Sequence, residues 1–427
     1  MCNFDELIAD YSVDDNSIWA YPPHDYAYTL PEKGFKIHIS ATTINACYIF
    51  NHVRNILDEE RISYKVISSD KNLALLNSGD FGYSQIGKFI TVYPPNEQRF
   101  SELLEKLYLA TLGFQSIDIP SDFRYKNSSV VFYRYGEIMA SEKASNDMRI
   151  REIPEDIIVP VNDFYVKRYH QMPDRYVPLA CLRTRGKSRV FQGISTSDKV
   201  PIIIKEGLML GEVSSSGYDG ANSIMQEQSI LAALHDISAF PSLIDYFYID
   251  KSFVVIEELK KGKTLKNIFV DKDFSFIKLH KYQILSQLLE LLVILHSKRI
   301  LIGDLSPDNI ILGDNVSLSL IDLEYYTFYS QKNGFPGTPG FWCKKYVGQK
   351  AILYAFFSIW YYLSFPQEYL AISSSHVNMY DCSIEKYKSI CNEVVDIIDL
   401  DSYDQALNHL RNSLNKSEEN NNGITDA

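Results

Sequence analysis

Ile302-Gly303-Asp304-Leu305-Ser306-Pro307-Asp308-Asn309-Ile310, followed by Leu320-Ile321-Asp322-Leu323-Glu324, decides how the second half of the chain folds. An Asp stands five residues ahead of an Asn, between an apolar helical run and a short hairpin, and a further Asp follows an apolar strand. Phosphoryl transfer needs this order of polar groups. One carboxylate accepts or orients a hydroxyl proton, and an Asn and an Asp hold magnesium, whose charge offsets that on the transferred group. Asp304 takes the first role; Asn309 and Asp322 take the second. Upstream, Ile202-Ile203-Ile204-Lys205 ends a strand, so Lys205 can reach the α and β phosphates of a nucleotide, with Glu227 on the next helix placed to pair with it. Taken singly, an Asp-x-x-x-x-Asn is more often a turn and a Lys after three Ile a solvated strand end. Their joint order is what carries the reading.

Outward from that stretch, Cys181 to Glu206 reads as short strands, Ile224 to Leu234 as a helix, Phe253 to Glu258 as a strand and Lys281 to His296 as a long apolar helix. A strand lobe followed by a helical lobe resembles the protein kinases, and so do the motifs. Several parts depart from that pattern. Gly303 stands where Arg is usual, Glu324 replaces the Gly of the metal-binding tripeptide, and Ile352 stands where the following helix commonly carries Asp. The segment Gly337-Thr338-Pro339-Gly340-Phe341-Trp342-Cys343 lacks the usual Pro-Glu. The Gly-rich loop is thin, Gly186-Lys187-Ser188-Arg189-Val190-Phe191-Gln192-Gly193, and Gly186 is the candidate for contact with nucleotide phosphates. Gly186-Lys187-Ser188 also mimics the end of a P-loop, but the first glycine of that motif would fall on Cys181, in a strand-loop-strand context, so that reading is rejected.

The 427 residues, 46% apolar and 22% charged, are enough for two or three globular domains. With 42 Lys and Arg against 54 Asp and Glu, the net charge of -12 excludes bulk electrostatic coating of nucleic acid, so an anionic ligand must meet a local basic site. Six cysteines lie far apart without metal-ligand spacing, which fits reduced thiols and a cytoplasmic location. The start of the sequence is acidic where a signal peptide would be basic, and the longest greasy run, Ala351 to Leu363, is too short to span a bilayer.

The first half reads as a small α+β domain over residues 1–150. A loop-like segment up to Glu32 leads to a strand at Phe35 to Ser40, a helix at Thr43 to Glu60, a strand at Tyr64 to Ser68 and a Gly-marked loop at Ser78 to Gly87. A strand at Phe89 to Tyr93, a helix at Gln98 to Leu112 and a strand at Val130 to Tyr135 complete it. Residues 151–178, punctuated by prolines, form the expected linker, 179–414 the second domain and 415–427 a flexible tail. Strict alternation in Phe35-Lys36-Ile37-His38-Ile39-Ser40 puts Lys36 and His38 on one face and Phe35, Ile37 and Ile39 in the core. Lys88 enters a strand beside Gly87, which would let a substrate approach closely, and Arg124 and Arg134 lie in Tyr-rich stretches and suit phosphate oxygens. By residue type alone these five read first as an ordinary solvated face.

Pro31-Glu32-Lys33-Gly34-Phe35-Lys36-Ile37-His38-Ile39-Ser40-Ala41-Thr42, Gly87-Lys88-Phe89-Ile90-Thr91-Val92-Tyr93-Pro94 and Tyr133-Arg134-Tyr135-Gly136 closely resemble the N-terminal lyase domain of class III and IV lanthionine synthetases. Gly303-Asp304-Leu305-Ser306-Pro307 and Gly337-Thr338-Pro339-Gly340 resemble the kinase domain that follows it in those enzymes. The resemblance implies an α+β phosphopeptide-lyase domain followed by a two-lobed kinase-like domain. Together they would dehydrate a ribosomally made precursor peptide: ATP or GTP with Mg2+ phosphorylates Ser or Thr, and phosphate is then eliminated to leave dehydroalanine or dehydrobutyrine. By similarity to phosphothreonine lyases, Lys88 removes the α-proton, His38 protonates the departing phosphate, Lys36 stabilises the enolate-like oxygen, and Arg124 and Arg134 clamp the phosphate. The expected partner is a precursor peptide with a leader segment, with no nucleic acid and no membrane span. The family's C-terminal cyclase domain has no counterpart after Ser373, so ring closure would fall to a separate cyclase or modifying enzyme, be spontaneous, or not occur. Two rival readings are a pseudokinase that recruits the peptide, and a plain Ser/Thr kinase with a docking domain.

Overall fold

Alternation and capping in the first half are realised as a seven-stranded antiparallel sheet with helices on its apolar face. The computed structural model describes residues 3–13, 17–24, 29–138, 153–155, 157–161, 172–214, 216–329, 337–374 and 384–425. Strands β1 (Ser12–Val13), β2 (Trp19–Tyr21), β3 (Lys33–Ile39), β4 (Ser63–Ile67), β5 (Ile90–Tyr93), β6 (Phe123–Arg124) and β7 (Val131–Glu137) lie in the order β1-β2-β4-β5-β3-β7-β6. Phe35, Ile37 and Ile39 of central β3 are buried with Phe50 and Val53 of α2 (Ala46–Glu59) and Phe100 and Leu104 of α4 (Glu97–Ala110). Phe35 stacks on Phe100 at 4.6 Å between ring centroids. Burying each such side chain contributes about 1.5–3 kcal/mol, which fixes β3 with Lys36 and His38 on its other face.

Three elements differ from the sequence reading. The opening segment is not all loop: a short helix, α1 (Phe4–Leu7), and the strands β1 and β2 form there, with Phe4 packed against Phe50 and Phe89. A further helix, α3 (Asp70–Ser78), starts where Ser69 Oγ accepts the Asn72 N–H and stops at Gly79, whose φ of 93° is a left-handed cap. The chain's last helix, α11, runs over Tyr403–Thr425, across most of the segment expected to be a flexible tail.

The second half opens with a five-stranded sheet, β8 (Tyr176–Thr184), β9 (Ser188–Ser195), β10 (Val200–Leu208), β11 (Leu243–Ile249) and β12 (Ser252–Glu258), in the order β11-β12-β10-β9-β8. Helix α5 (Gly220–Ala233) lies between β10 and β11 in sequence. The helical part contains α6 (Leu265–Val270), α7 (Phe274–Ser297), α8 (Gln349–Ser364), α9 (Pro366–Ser374), α10 (Val394–Asp399) and α11. Ile352 to Leu363 of α8 are all buried, so the greasy run is a helix apolar on every side at the centre of a core. Among the described residues, no helix is long and apolar enough to cross a membrane.

By compactness the chain divides into one unit of residues 1–224 with 246–255, and another of 225–245 with 256–427. Most of the strand lobe therefore belongs with the N-terminal domain. Much of the expected linker lies outside the described residues. Cys181 and Cys391 are free, whereas Cys47 and Cys343 are held in disulfides, so the expectation of six reduced thiols is not met.

Candidate functional site

His38, Lys88 and Asp122 meet in the N-terminal domain. His38 Nδ1 donates to Asp122 Oδ2, Lys88 Nζ lies 3.6 Å from Asp122 Oδ1, and Ser121 Oγ donates to that same oxygen at 2.8 Å. His38 is 4%, Lys88 3% and Asp122 0% exposed, which excludes a solvated charged face. Strand register supplies His38, which sits opposite Thr91 of β5 and Phe132 of β7. Lys88 is delivered by a turn at Gly87, whose φ is +78° and where a Cβ would lie 3.0 Å from Ile119 Cγ1 and 3.2 Å from Ser40 Oγ. Gly87 is thus needed for backbone shape and tight packing against the domain itself, a different reason from the substrate access expected of it.

Electrostatics sets the protonation of this cluster. Burial pushes the His38 imidazole down to about 4; Asp122 opposes that shift, and Lys88 and Lys36 reinforce it. Burial would raise the Asp122 carboxyl, but His38, Lys88 and Ser121 together hold it below the usual carboxylate range. Near neutral pH the cluster therefore carries an ionised Asp122 and a neutral His38. The His38 Nδ1–H points at Asp122, which leaves Nε2 as the nitrogen able to exchange a proton with a substrate.

The remaining sequence-predicted cations line the same sheet face. Lys36 is directly opposite Arg134 in the β3–β7 register, and Lys36 Nζ donates to the Glu137 carbonyl. Arg134 is buried, and a side chain at Gly136 would crowd its Nη2 at 3.3 Å, which explains the glycine in Tyr133-Arg134-Tyr135-Gly136. Arg124 lies opposite Phe132, two strands from His38, and its Nη2 donates to Asp118 Oδ2. Sequence reasoning assigned no role to Asp122 or Asp118. Each is a lone loop carboxylate, and no spacing marks it before the chain folds.

The second cluster is built on the loop between α7 and the hairpin strands Ile310–Leu312 and Leu318–Leu320. Asn309 Nδ2 donates to Asp304 Oδ2 at 3.2 Å and to its carbonyl at 3.1 Å. Thr338 Oγ1 lies 2.8 and 3.0 Å from the two Asp304 oxygens, and the Thr338 N–H donates to Oδ1 at 3.1 Å. Burial raises the Asp304 carboxyl against the pull of these Thr338 bonds, and the Asp322 charge adds to the rise. Asp322 has a left-handed backbone, φ 60° and ψ 68°. The buried Glu227 accepts the Leu323 N–H at 2.8 Å, which ties α5 to the residue after Asp322. With Asn309 Nδ2 committed to Asp304, its carbonyl oxygen and the Asp322 carboxylate are the hard oxygen donors that suit magnesium. Thr338 sits in a motif singled out by sequence, although its bond to Asp304 was not foreseen.

Lys205 is buried on β10, opposite Val190 of β9. Gly186 is not positioned as expected for a phosphate cradle. Its N–H donates to the Ser78 carbonyl at 3.0 Å, and a Cβ there would fall 1.6 Å from the Asn77 carbonyl oxygen. The Lys187 N–H donates to Glu212 Oε1 at 3.2 Å and its carbonyl accepts the Leu208 N–H at 2.8 Å. The hairpin tip therefore spends these groups on the N-terminal domain and its own lobe.

Comparison with known families finds a match over each of the two domains. Residues 4–173 match the family described as RamC, N-terminal domain, and residues 185–361 match the protein kinase domain. The chain joins a RamC N-terminal domain to a protein kinase domain. The domain order is the one inferred from the resemblance to class III and IV lanthionine synthetases, and the chain is homologous to the probable SapB synthase of Streptomyces coelicolor. It is 23% identical to that protein over 332 residues, covering 69% of this chain and 35% of the relative. It is also 27% identical over 142 residues to the probable serine/threonine-protein kinase YbdM of Bacillus subtilis, covering 33% of this chain and 54% of that protein. The chain thus spans well under two thirds of either relative.

Proposed function

We propose that this RamC-type chain is a bifunctional dehydratase of a ribosomally made precursor peptide, phosphorylating Ser or Thr and then eliminating the phosphate. The observation that carries the second step is the convergence of His38 and Lys88 on one buried carboxylate, Asp122. A buried cluster of this kind is costly to build, and groups with shifted pKa values gather at sites of proton transfer.

In the first step Asp304, held by Thr338 and Asn309, orients the substrate hydroxyl and accepts its proton. Asn309 and Asp322 would hold Mg2+, and Lys205, partnered by Glu227, would meet the phosphates of ATP or GTP. Bound magnesium and nucleotide supply the phosphoryl group and neutralise its charge. In the second step Lys88, as the neutral amine after its ammonium proton has been given up, takes the α-proton, and the electron pair becomes the Cα=Cβ bond as the Cβ–O bond breaks. His38 Nε2 passes a proton to the departing phosphate. His38 is neutral in the absence of substrate, so it takes up that proton when the phosphate dianion arrives beside it, with Asp122 stabilising the imidazolium. Lys36 would sit at the carbonyl oxygen where charge develops, and Arg124 and Arg134 at the phosphate.

Incubating the protein with magnesium, nucleotide and a Ser/Thr-rich precursor peptide should lower peptide mass by one water per modified residue. Substituting Lys88→Ala or His38→Ala should leave a phosphorylated peptide. Dehydration by both variants at the parent rate would refute the elimination role.

A further inference from the structure

We infer that Lys251, on the turn between β11 and β12 of the kinase-type strand lobe, is a positioning residue for the phosphate-elimination site, acting through Asp118 on Arg124. The inference rests on the elimination reading above and adds to it a residue from outside the N-terminal domain.

Asp118 is one carboxylate between two cations. Arg124 Nη2 donates to Oδ2, while Lys251 Nζ lies 3.8 Å from Oδ1 and 2.6 Å from Ser129 Oγ. Arg124 belongs to the same cross-strand row as His38. It is opposite Phe132, Phe132 is opposite His38, and the guanidinium carbon stands 6.0 Å from the Phe132 ring centroid. Two strand spacings separate Arg124 from His38, about 10 Å, which a phosphorylated side chain can bridge. As a phosphate ligand, however, Arg124 has a competitor in Asp118. An isolated Arg124–Asp118 pair would offer no net charge to an incoming dianion. With Lys251 added, the group carries one net positive charge, and Asp118 shares its charge between two cations.

The turn that presents Lys251 is fixed on both sides. The Lys251 carbonyl accepts the Met209 N–H at 2.9 Å, Ser252 Oγ donates to Glu206 Oε1 at 2.7 Å, and Asp250 takes a left-handed φ of 48°. Burial lowers the Lys251 ammonium, Asp118 offsets part of that, and Arg124 adds to it, so an anion entering beside this pair is favoured. The other basic residues nearby have carboxylates of their own: Arg185 is 3.7 Å from Asp80, and Arg189 is 3.3 Å from Glu206. Arg189 also feels the Asp118 charge, but Lys251 is the one of these three within ion-pair distance of the carboxylate that holds Arg124.

The test uses the full chain and a synthetic phosphoserine peptide without nucleotide, following phosphate release and the alkene product. Lys251→Met should raise KM and the inhibition constant of inorganic phosphate about tenfold with kcat within about threefold, and Lys251→Arg should restore both. Adding Asp118→Asn to Lys251→Met should recover most of the phosphate affinity, because Arg124 is then released. Peptide phosphorylation, measured with Lys88→Met present to block elimination, should be unchanged by Lys251→Met. Parent-like KM and phosphate inhibition in Lys251→Met, or an equal loss of phosphorylation, would overturn the inference alone. If the parent protein leaves the phosphopeptide intact, the elimination reading falls and the inference falls with it.

Discussion

Lys88 Nζ stands 3.6 Å from Asp122 Oδ1, and the second oxygen of that carboxylate receives His38. One buried anion thus positions both the residue proposed to take the α-proton and the residue proposed to give a proton to phosphate. Asp122→Asn keeps the shape but removes the charge that orients His38 and favours its imidazolium. Elimination from a phosphopeptide should fall by about 10²–10⁴-fold in kcat with a small change in KM, and phosphopeptide should accumulate when nucleotide is present. Quantifying phosphorylated and dehydrated product by mass spectrometry checks this.

Protonation of the same cluster should shape acid stability. The folded-state pKa of His38 is about 4, below the ordinary value of about 6.5, so the unfolded chain binds more protons between those values. The contribution of His38 is fully present above pH 6.5 and is lost as pH falls toward 4. Asp122, also held low, adds its loss at more acidic pH still. Urea midpoints measured from pH 7 to pH 4 should fall more steeply for the parent than for His38→Gln. Equal slopes would contradict a buried, neutral His38.

Much of the kinase-type site was legible in the sequence because its parts are local. Asp304 and Asn309 share one loop, and the bond between them is a consequence of that loop's backbone. The strand carrying Lys36 and His38 was legible for a similar reason, since alternation alone decides which face each side chain takes. Asp122 was not legible, because nothing around it in sequence distinguishes a catalytic carboxylate from a turn residue; only the sheet brings it to β3. Gly186 was misplaced by its resemblance to a nucleotide loop, whereas its contacts are with Asn77 and Ser78, far away in sequence. Helix α3 went unread although Ser69 and Gly79 mark its two ends.

Thr338 spans both oxygens of Asp304, so Thr338→Ala should leave a half-buried carboxylate short of partners, at a cost of about 1 kcal/mol. Phosphorylation of peptide should drop about 10- to 100-fold in kcat, Thr338→Ser should recover most of it, and elimination from a preformed phosphopeptide should be unaffected. Steady-state kinetics of the two half-reactions separates these outcomes.

Gly186→Ala introduces a Cβ where the Asn77 carbonyl oxygen would be 1.6 Å away, which no rotamer change relieves. The hairpin tip must move off Ser78, and the bond between them breaks. Thermal unfolding should shift down by several degrees, the equivalent of about 1–3 kcal/mol of overpacking. An unchanged unfolding temperature would show that the tip does not bear on the N-terminal domain.

The most direct test of the proposed second step is a synthetic phosphoserine peptide given to the purified chain with no nucleotide present. The account predicts that the parent protein converts it to the dehydroalanine peptide with release of inorganic phosphate, and that Lys88→Met and Asp122→Asn lose that conversion while Asp304→Asn retains it. Recovery of intact phosphopeptide, or of the plain serine peptide, from the parent protein would contradict it.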